Sequence, residues 1–119
     1  PWGDWEKERC NTYEAGIFTT TPVGKYSPAG DSPYGAADVA GNVWEWVSSL
    51  YQHYPYRADD GREDPSASGW RMLRGGSWGS FRSDARCACR DWYGSPDNRY
   101  WDNGFRVVVA APFSSTSTL

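Results

Sequence analysis

No segment of the chain sustains apolar residues at spacings of three and four, so its hydrophobic pattern predicts short strands and loops rather than long helices. The clearest alternation runs from Val43 to Val47, where β-branched and aromatic residues surround Glu45. A strand there sends Trp44 and Trp46 to one face and Val43, Glu45 and Val47 to the other. Trp70–Arg74 and Phe105–Ala110 read as two further strands. Residues 5–35, rich in Thr, Gly, Pro and Tyr, read as irregular, with a short extended piece at Pro22–Tyr26. Residues 51–69 include Tyr51, Tyr54, Tyr56, Asp59, Asp60, Gly61 and Pro65 and read as a polar loop. Beyond Pro112 the run Ser-Ser-Thr-Ser-Thr-Leu has nothing to bury, so 113–119 is expected to be a disordered tail behind a folded part at 1–112.

Composition makes that loop-rich reading workable. At 119 residues a single domain buries little of its surface. Eight Trp, eight Tyr and four Phe compensate, because each ring can bury on the order of 150–250 Å². Thirteen Gly and eight Pro supply the turns. A net charge of −3 and the lack of any Lys/Arg run argue against nucleic acid as a partner. No apolar run reaches the roughly 18 residues of a membrane span, so no membrane partner is expected. The three cysteines, Cys10, Cys87 and Cys89, do not make a disulfide framework. They read as reduced, structural or incidental thiols, which points to a cytoplasmic location, with surface display possible should a preceding segment carry a signal.

Three blocks carry the strongest signal: Gly41-Asn42-Val43-Trp44-Glu45-Trp46, Leu73-Arg74-Gly75-Gly76-Ser77-Trp78 and Asn103-Gly104-Phe105-Arg106. Together with Pro1-Trp2-Gly3-Asp4, Asn11-Thr12 and Thr20-Thr21-Pro22-Val23-Gly24, they resemble the C-terminal half of the formylglycine-generating enzyme, or sulfatase-modifying factor, family. The resemblance implies an α+β, loop-rich, C-type lectin-like fold of low regular secondary structure. Members of that family place a sizeable segment before Pro-Trp-Gly-Asp. Residues 1–112 therefore resemble the C-terminal portion of such a domain, with its N-terminal remainder as a partner.

The resemblance also implies site residues. The family's calcium site corresponds to the side chain of Asp38, the carbonyls of Gly41 and Val43, and the carboxylate of Glu45. Oxygen donors of this mixed kind suit a hard cation, and a structural Ca2+ is expected. An ion pair between Glu45 and an Arg would stabilise the same loop without metal. A second calcium site would use Asn11 and Thr12, but its carboxylate position falls on Ala15, with Glu14 one residue away. Trp44, Trp46 and Trp78 read as core, and Arg74, Arg86, Arg90 and Arg106 as forks that tie loops to carbonyls or carboxylates.

The family's aerobic enzyme holds copper(I) with two cysteines shortly after the Gly-Gly-Ser-aromatic block. Here that stretch is Gly79-Ser80-Phe81-Arg82-Ser83-Asp84-Ala85, without a thiol. Soft copper(I) needs soft ligands, so no copper and no oxidase activity are expected. Cys87 and Cys89 come later, in an Arg-x-Ala-x-Arg block, and substitution by them is the alternative. Sulfoxide synthases sharing the fold need histidine ligands, whereas the single His53 sits in the polar loop.

The variable proteins of diversity-generating retroelements resemble the chain more closely in its last third. They run from Leu-Arg-Gly-Gly-Ser-Trp through a variable stretch to Pro-Asp-Asn-Arg, then through another to Gly-Phe-Arg-Val-Val. Leu73–Trp78, Pro96–Arg99 and Gly104–Val108 follow that arrangement. Between these blocks lie Gly79, Ser80, Phe81, Ser83, Asp84, Cys89, Asp91, Trp92, Tyr93, Gly94, Tyr100, Trp101 and Asp102. Aromatic, small and acidic residues on loops make a surface like an antibody paratope. The expectation is a non-catalytic domain that binds a protein, peptide or glycan ligand. Its alternatives are an oxidase of the formylglycine-generating type and a sensor module of a larger protein.

Overall fold

The computed structural model describes residues 1–91, 95 and 97–109. Among these, regular structure is sparse: three strands and two single-turn 3₁₀ helices, Lys7–Arg9 and Tyr13–Ala15. Strand β1 spans Trp44–Leu50, β2 spans Arg71–Arg74 and β3 spans Asn103–Gly104. They form one open sheet in the order β2-β1-β3, antiparallel between β1 and β2 and parallel between β1 and β3. This is the low-regularity, loop-rich architecture expected of the chain.

Strand β1 begins one residue later than the alternation suggested and runs three residues further. Its register explains the extension. Trp46 faces Leu73 and Leu50 faces Arg71, so four steps along β1 match two along β2. The resulting bulge resets the alternation, which is how Trp44 and Leu50 are both buried while Ser48 between them is exposed.

Two extended segments expected from the sequence are different in the structure. Pro22–Tyr26 is a turn rather than a strand-like piece: Lys25 N–H donates to Pro22 O at 3.2 Å, and Gly24 has φ +75°. Of the strand expected at Phe105–Ala110, residues 105–109 lie outside the sheet, and Ala110 falls outside the described residues. Ladder pairing with β1 ends at Gly104, and Arg106 then turns its side chain back to the loop before β1. The tail expected at 113–119 also lies outside the described residues.

The buried apolar set is small among the described residues: Cys10, Ala40, Trp44, Leu50, Leu73 and Ala85. Trp2 and Trp5 pack over Cys10, Ala40 and Ala85. Buried polar residues Asn11, Thr12, Asn42 and Ser77 share the interior with them. Each must find partners there, since an unpaired buried polar group costs about 1–3 kcal/mol. Those partners organise the site.

Candidate functional site

The turn before β1 is the hub. Gly41 and Asn42 have φ +76° and +70°. A side chain at Gly41 would put its Cβ 2.4 Å from the Asn11 carbonyl oxygen, so only glycine fits. Asn42 N–H donates to that same carbonyl at 2.8 Å. The Asn42 side-chain oxygen accepts from Thr21 N–H at 2.9 Å and from Asn11 Nδ2 at 3.2 Å. Gly41 N–H donates to Gly75 O at 2.8 Å, Trp78 N–H to Asn42 O at 3.0 Å, and Trp44 N–H to Asp102 O at 2.8 Å. The three sequence blocks are therefore stitched together by main-chain bonds, which fixes where the loops after Trp78 and before β3 leave the body.

The residues expected to make a recognition surface lie on those loops. Gly79, Phe81, Ser83, Tyr100 and Trp101 are exposed, Trp101 by 85% and Phe81 by 58%. Ser80, Asp84, Cys89, Asp91 and Asp102 are half-buried. Trp92, Tyr93 and Gly94 lie outside the described residues. Ser77 brings several of these positions together. Its hydroxyl donates to Asp102 Oδ2 at 2.8 Å, lies 3.0 Å from Ser80 Oγ and accepts from Gly79 N–H at 3.2 Å. Trp101 packs on Trp78 with ring centroids 6.3 Å apart. Phe81 sits apart from this group, against Tyr13 at 5.0 Å. Cys89 and Asp91 run beside β2, where Asp91 and Leu73 exchange main-chain bonds of 2.9 and 3.0 Å. Trp44 is buried, and Trp46 and Trp78 are half-buried.

Glu45 takes the ion-pair arrangement that the sequence left open. Both of its carboxylate oxygens accept from Arg106. The same guanidinium donates to Ala37 O and Asp38 O, each at 3.0 Å. The Asp38 carboxylate accepts from Gly24 N–H at 2.7 Å, and Gly41 O accepts from Val43 N–H at 3.0 Å. The oxygen donors at Asp38, Gly41, Val43 and Glu45 are of the kind calcium uses. Of that set, the Glu45 carboxylate is engaged by the Arg106 guanidinium and the Asp38 carboxylate by Gly24 N–H, so an ion would have to take Glu45 from Arg106. At the second position, Glu14 accepts from Thr12 Oγ1 at 2.8 Å and Arg82 N–H at 2.9 Å. Desolvation works to raise the Glu14 pKa, yet those two donors outweigh it and hold the carboxyl below its ordinary range.

None of the cysteines forms a disulfide. Burial pushes the Cys10 thiol up. Burial and then the Asp84 charge push Cys89 up. A thiol kept protonated is a poor copper(I) ligand. Cys87 opens onto a cavity of about 700 Å³ between Trp2, Trp5, Arg82 and Arg86, which Cys89 does not line. Among the described residues, no group of three or more His, Cys, Asp or Glu side chains is placed to hold a metal ion.

The arginine forks bind mainly carbonyls. Arg74 donates to Cys89 O at 2.6 Å and Cys87 O at 2.8 Å, and Arg86 to Ser83 O at 3.1 Å. Arg90 donates to Gln52 O at 2.9 Å and stacks 3.8 Å above the Tyr54 ring. Two further forks were not anticipated. Arg62 is 2% exposed, pairs with Asp60 and stacks on Tyr56 at 4.8 Å, anchoring the polar loop. Arg71 gathers the carbonyls of Asp64, Pro65 and Ala67. His53 is exposed, and its carbonyl accepts from Arg62.

A family profile of the sulfatase-modifying factor enzyme 1-like domain matches residues 1–111. The chain belongs to this family. This sulfatase-modifying-factor-like chain is 37% identical over 133 aligned positions to the formylglycine-generating enzyme of Streptomyces coelicolor, covering 98% of itself and 40% of the relative. It is 39% identical over 89 positions to serine/threonine-protein kinase pkn1 of Chlamydia pneumoniae, covering 71% of itself and 13% of the kinase. Among solved structures, it superposes on Treponema denticola variable protein 1 with a TM-score of 0.65 and 32% identity. That match covers 83% of the chain and 35% of the variable protein. The chain thus spans less than half the length of each of these relatives.

Proposed function

We propose that the chain is a non-catalytic ligand-binding domain, displaying a variable recognition surface of the kind made by diversity-generating retroelements. The observation that carries this reading is a division of labour. The signature residues Gly41, Asn42, Trp44, Leu73 and Ser77 are buried, whereas each described one of the thirteen candidate recognition positions is exposed or half-buried, and Ala85, which lies among them in sequence, is a core residue. Tyr, Trp, Ser, Gly and Asp at those positions supply rigid aromatic contacts and adaptable hydrogen bonds for a protein, peptide or glycan. The likeness to Treponema denticola variable protein 1 supports the same reading. Sequencing this locus from many isolates tests it. Variation concentrated at the thirteen positions, beside a reverse transcriptase gene and a near-copy of codons 74–108, is the expected result. Variation spread evenly along the chain would overturn it. Turnover of a Cys-x-Pro-x-Arg peptide with copper would favour the oxidase alternative instead.

Two accessory parts of this reading have their own tests. The N-terminal remainder of the domain is the proposed cover for Phe105, Val107, Val108 and Val109, which are 75–90% exposed without a ladder partner. Attaching that remainder should slow amide exchange across 105–109, and unchanged exchange would count against it. A structural calcium ion at Asp38, Gly41, Val43 and Glu45 would displace Arg106 from Glu45. Calcium should then raise the melting temperature of the native chain and not of Glu45→Gln. The relative with a kinase name supports a sensor module within a larger protein as the second reading.

A further inference from the structure

The recognition surface does not account for the cavity of about 700 Å³ beside Cys87, since Ser83 alone of the thirteen positions lines it. Its floor is Cys10, Ala40 and Ala85, each buried, and the half-buried Trp2 and Trp5 pack against that floor. Arg82 and Arg86 bring two positive charges to its lining, against the one carboxylate of Asp4. Arg82 is positioned at both ends. Its main-chain N–H donates to Glu14 Oε1 at 2.9 Å, and its guanidinium stands 5.6 Å from the centre of the Trp5 ring. Arg86 donates through Nε to Ser83 O at 3.1 Å. Elsewhere in the chain Arg62, Arg71, Arg74, Arg90 and Arg106 place their terminal guanidinium nitrogens on carbonyls or carboxylates. The terminal nitrogens of Arg82 and Arg86 have no such acceptor among the described residues.

We propose that this cavity binds a small aromatic carboxylate, its ring against Trp2 and Trp5 and its carboxylate on Arg82 and Arg86. An apolar floor and two indoles call for a flat, apolar body. Unengaged guanidinium donors call for an anion, and a planar carboxylate matches the arginine fork in shape as well as in charge. The volume falls within the roughly 300–1,000 Å³ of small-molecule pockets, in which a few polar groups on mostly apolar walls fix the orientation of the ligand. Arg82 already lies near the Trp5 ring, so less of its side-chain freedom is lost on binding. The site is separate from the recognition surface, and the isolate sequencing above judges that surface on its own.

The test titrates three probes into the whole chain by calorimetry: 3-phenylpropionate, its uncharged analogue 3-phenylpropionamide, and propionate, which lacks the ring. Saturable binding of 3-phenylpropionate is expected, with the amide at least about tenfold weaker because the charge-assisted hydrogen bonds are lost, and propionate weaker still for want of the ring. Arg82→Gln should weaken the acid towards the level of the amide. It makes little demand on folding, because Arg82 is exposed and the bond to Glu14 comes from its main chain. Cys87, exposed and on the cavity lining, reports the location. Its alkylation by iodoacetamide, read by peptide mass, should slow at saturating acid and not at the same concentration of amide. No binding of the acid, equal affinity for acid and amide, or an unprotected Cys87 at saturation each overturns the proposal. Shielding of Cys87 by an attached N-terminal remainder, with the acid no longer bound, would give the cavity to that segment and overturn it as well.

Discussion

At the scale of single residues, Asn42 does the most with the fewest atoms. It holds a left-handed backbone, which asparagine tolerates better than most residues, while its carboxamide substitutes for main-chain partners at Asn11 and Thr21. Asn42→Ala strands at least two donors and strains the turn, so denaturant unfolding should show a loss of about 2–4 kcal/mol. Asn42→Gly should recover only the backbone part, about 1 kcal/mol. Equal stability of both variants with the native chain would show that the hub is not the organiser inferred from its bonds. Glu14 makes a second residue-level case. Its folded pKa is lowered, so its stabilising contribution is complete above the ordinary value of 4.5 and is lost as pH falls through the lower native value. Glu14→Gln should therefore be less stable than the native chain at pH 7, with the gap closing on acidification below 4.5. A gap that does not depend on pH would assign the effect to packing instead.

Among the elements, legibility followed how local the cause is. Alternation at Val43–Val47 revealed β1 because a half-buried strand leaves its two faces in the sequence. Its extension to Leu50 depends on a bulge against β2, and nothing local to β1 encodes that. Phe105–Val109 has the composition of a strand, but strand formation also needs a neighbouring backbone, and ladder pairing with β1 stops at Gly104. The loops proposed to carry recognition are marked in the sequence by resemblance alone, since loop residues carry no period. Arg62 escaped notice for a related reason: a charged residue in a polar loop looks solvated, although here it is the loop's buried anchor. Its carboxylate partner Asp60 is held below its ordinary range mainly by the Arg62 hydrogen bonds. Arg62→Met keeps much of the buried stem but loses the fork to Asp60, His53 and Pro55. Hydrogen exchange should then quicken across residues 51–69 while β2 stays protected. Uniform quickening over the whole chain would instead place Arg62 in the global core.

Taken as a whole, the molecule separates what holds it together from what it presents. Few apolar side chains are buried among the described residues, and much of the remaining order comes from main-chain stitching and from arginine forks, of which those at Arg74, Arg86 and Arg90 have main-chain carbonyls as acceptors. A carbonyl acceptor does not change when its side chain is replaced. Arg74 can therefore hold the backbone at Cys89 whatever side chain stands there, and the Leu73–Asp91 bonds are likewise indifferent to the residue at 91. That indifference is what a display scaffold requires, and it can be measured. Ser83→Asn and Tyr100→Asn, at exposed loop positions, should each change unfolding free energy by no more than about 0.5 kcal/mol. Phe81→Asn and Trp101→Asn break ring contacts with Tyr13 and Trp78 and should cost about 0.5–1.5 kcal/mol each. Ser77→Ala, by contrast, removes the hydroxyl that joins Gly79, Ser80 and Asp102, and should cost more than any of the four. The quadruple variant should still unfold in one cooperative denaturant transition, because all four side chains are exposed and none belongs to the buried set. A broad or absent transition would show that the loops are part of the core, and the separation on which the recognition reading depends would fail with it.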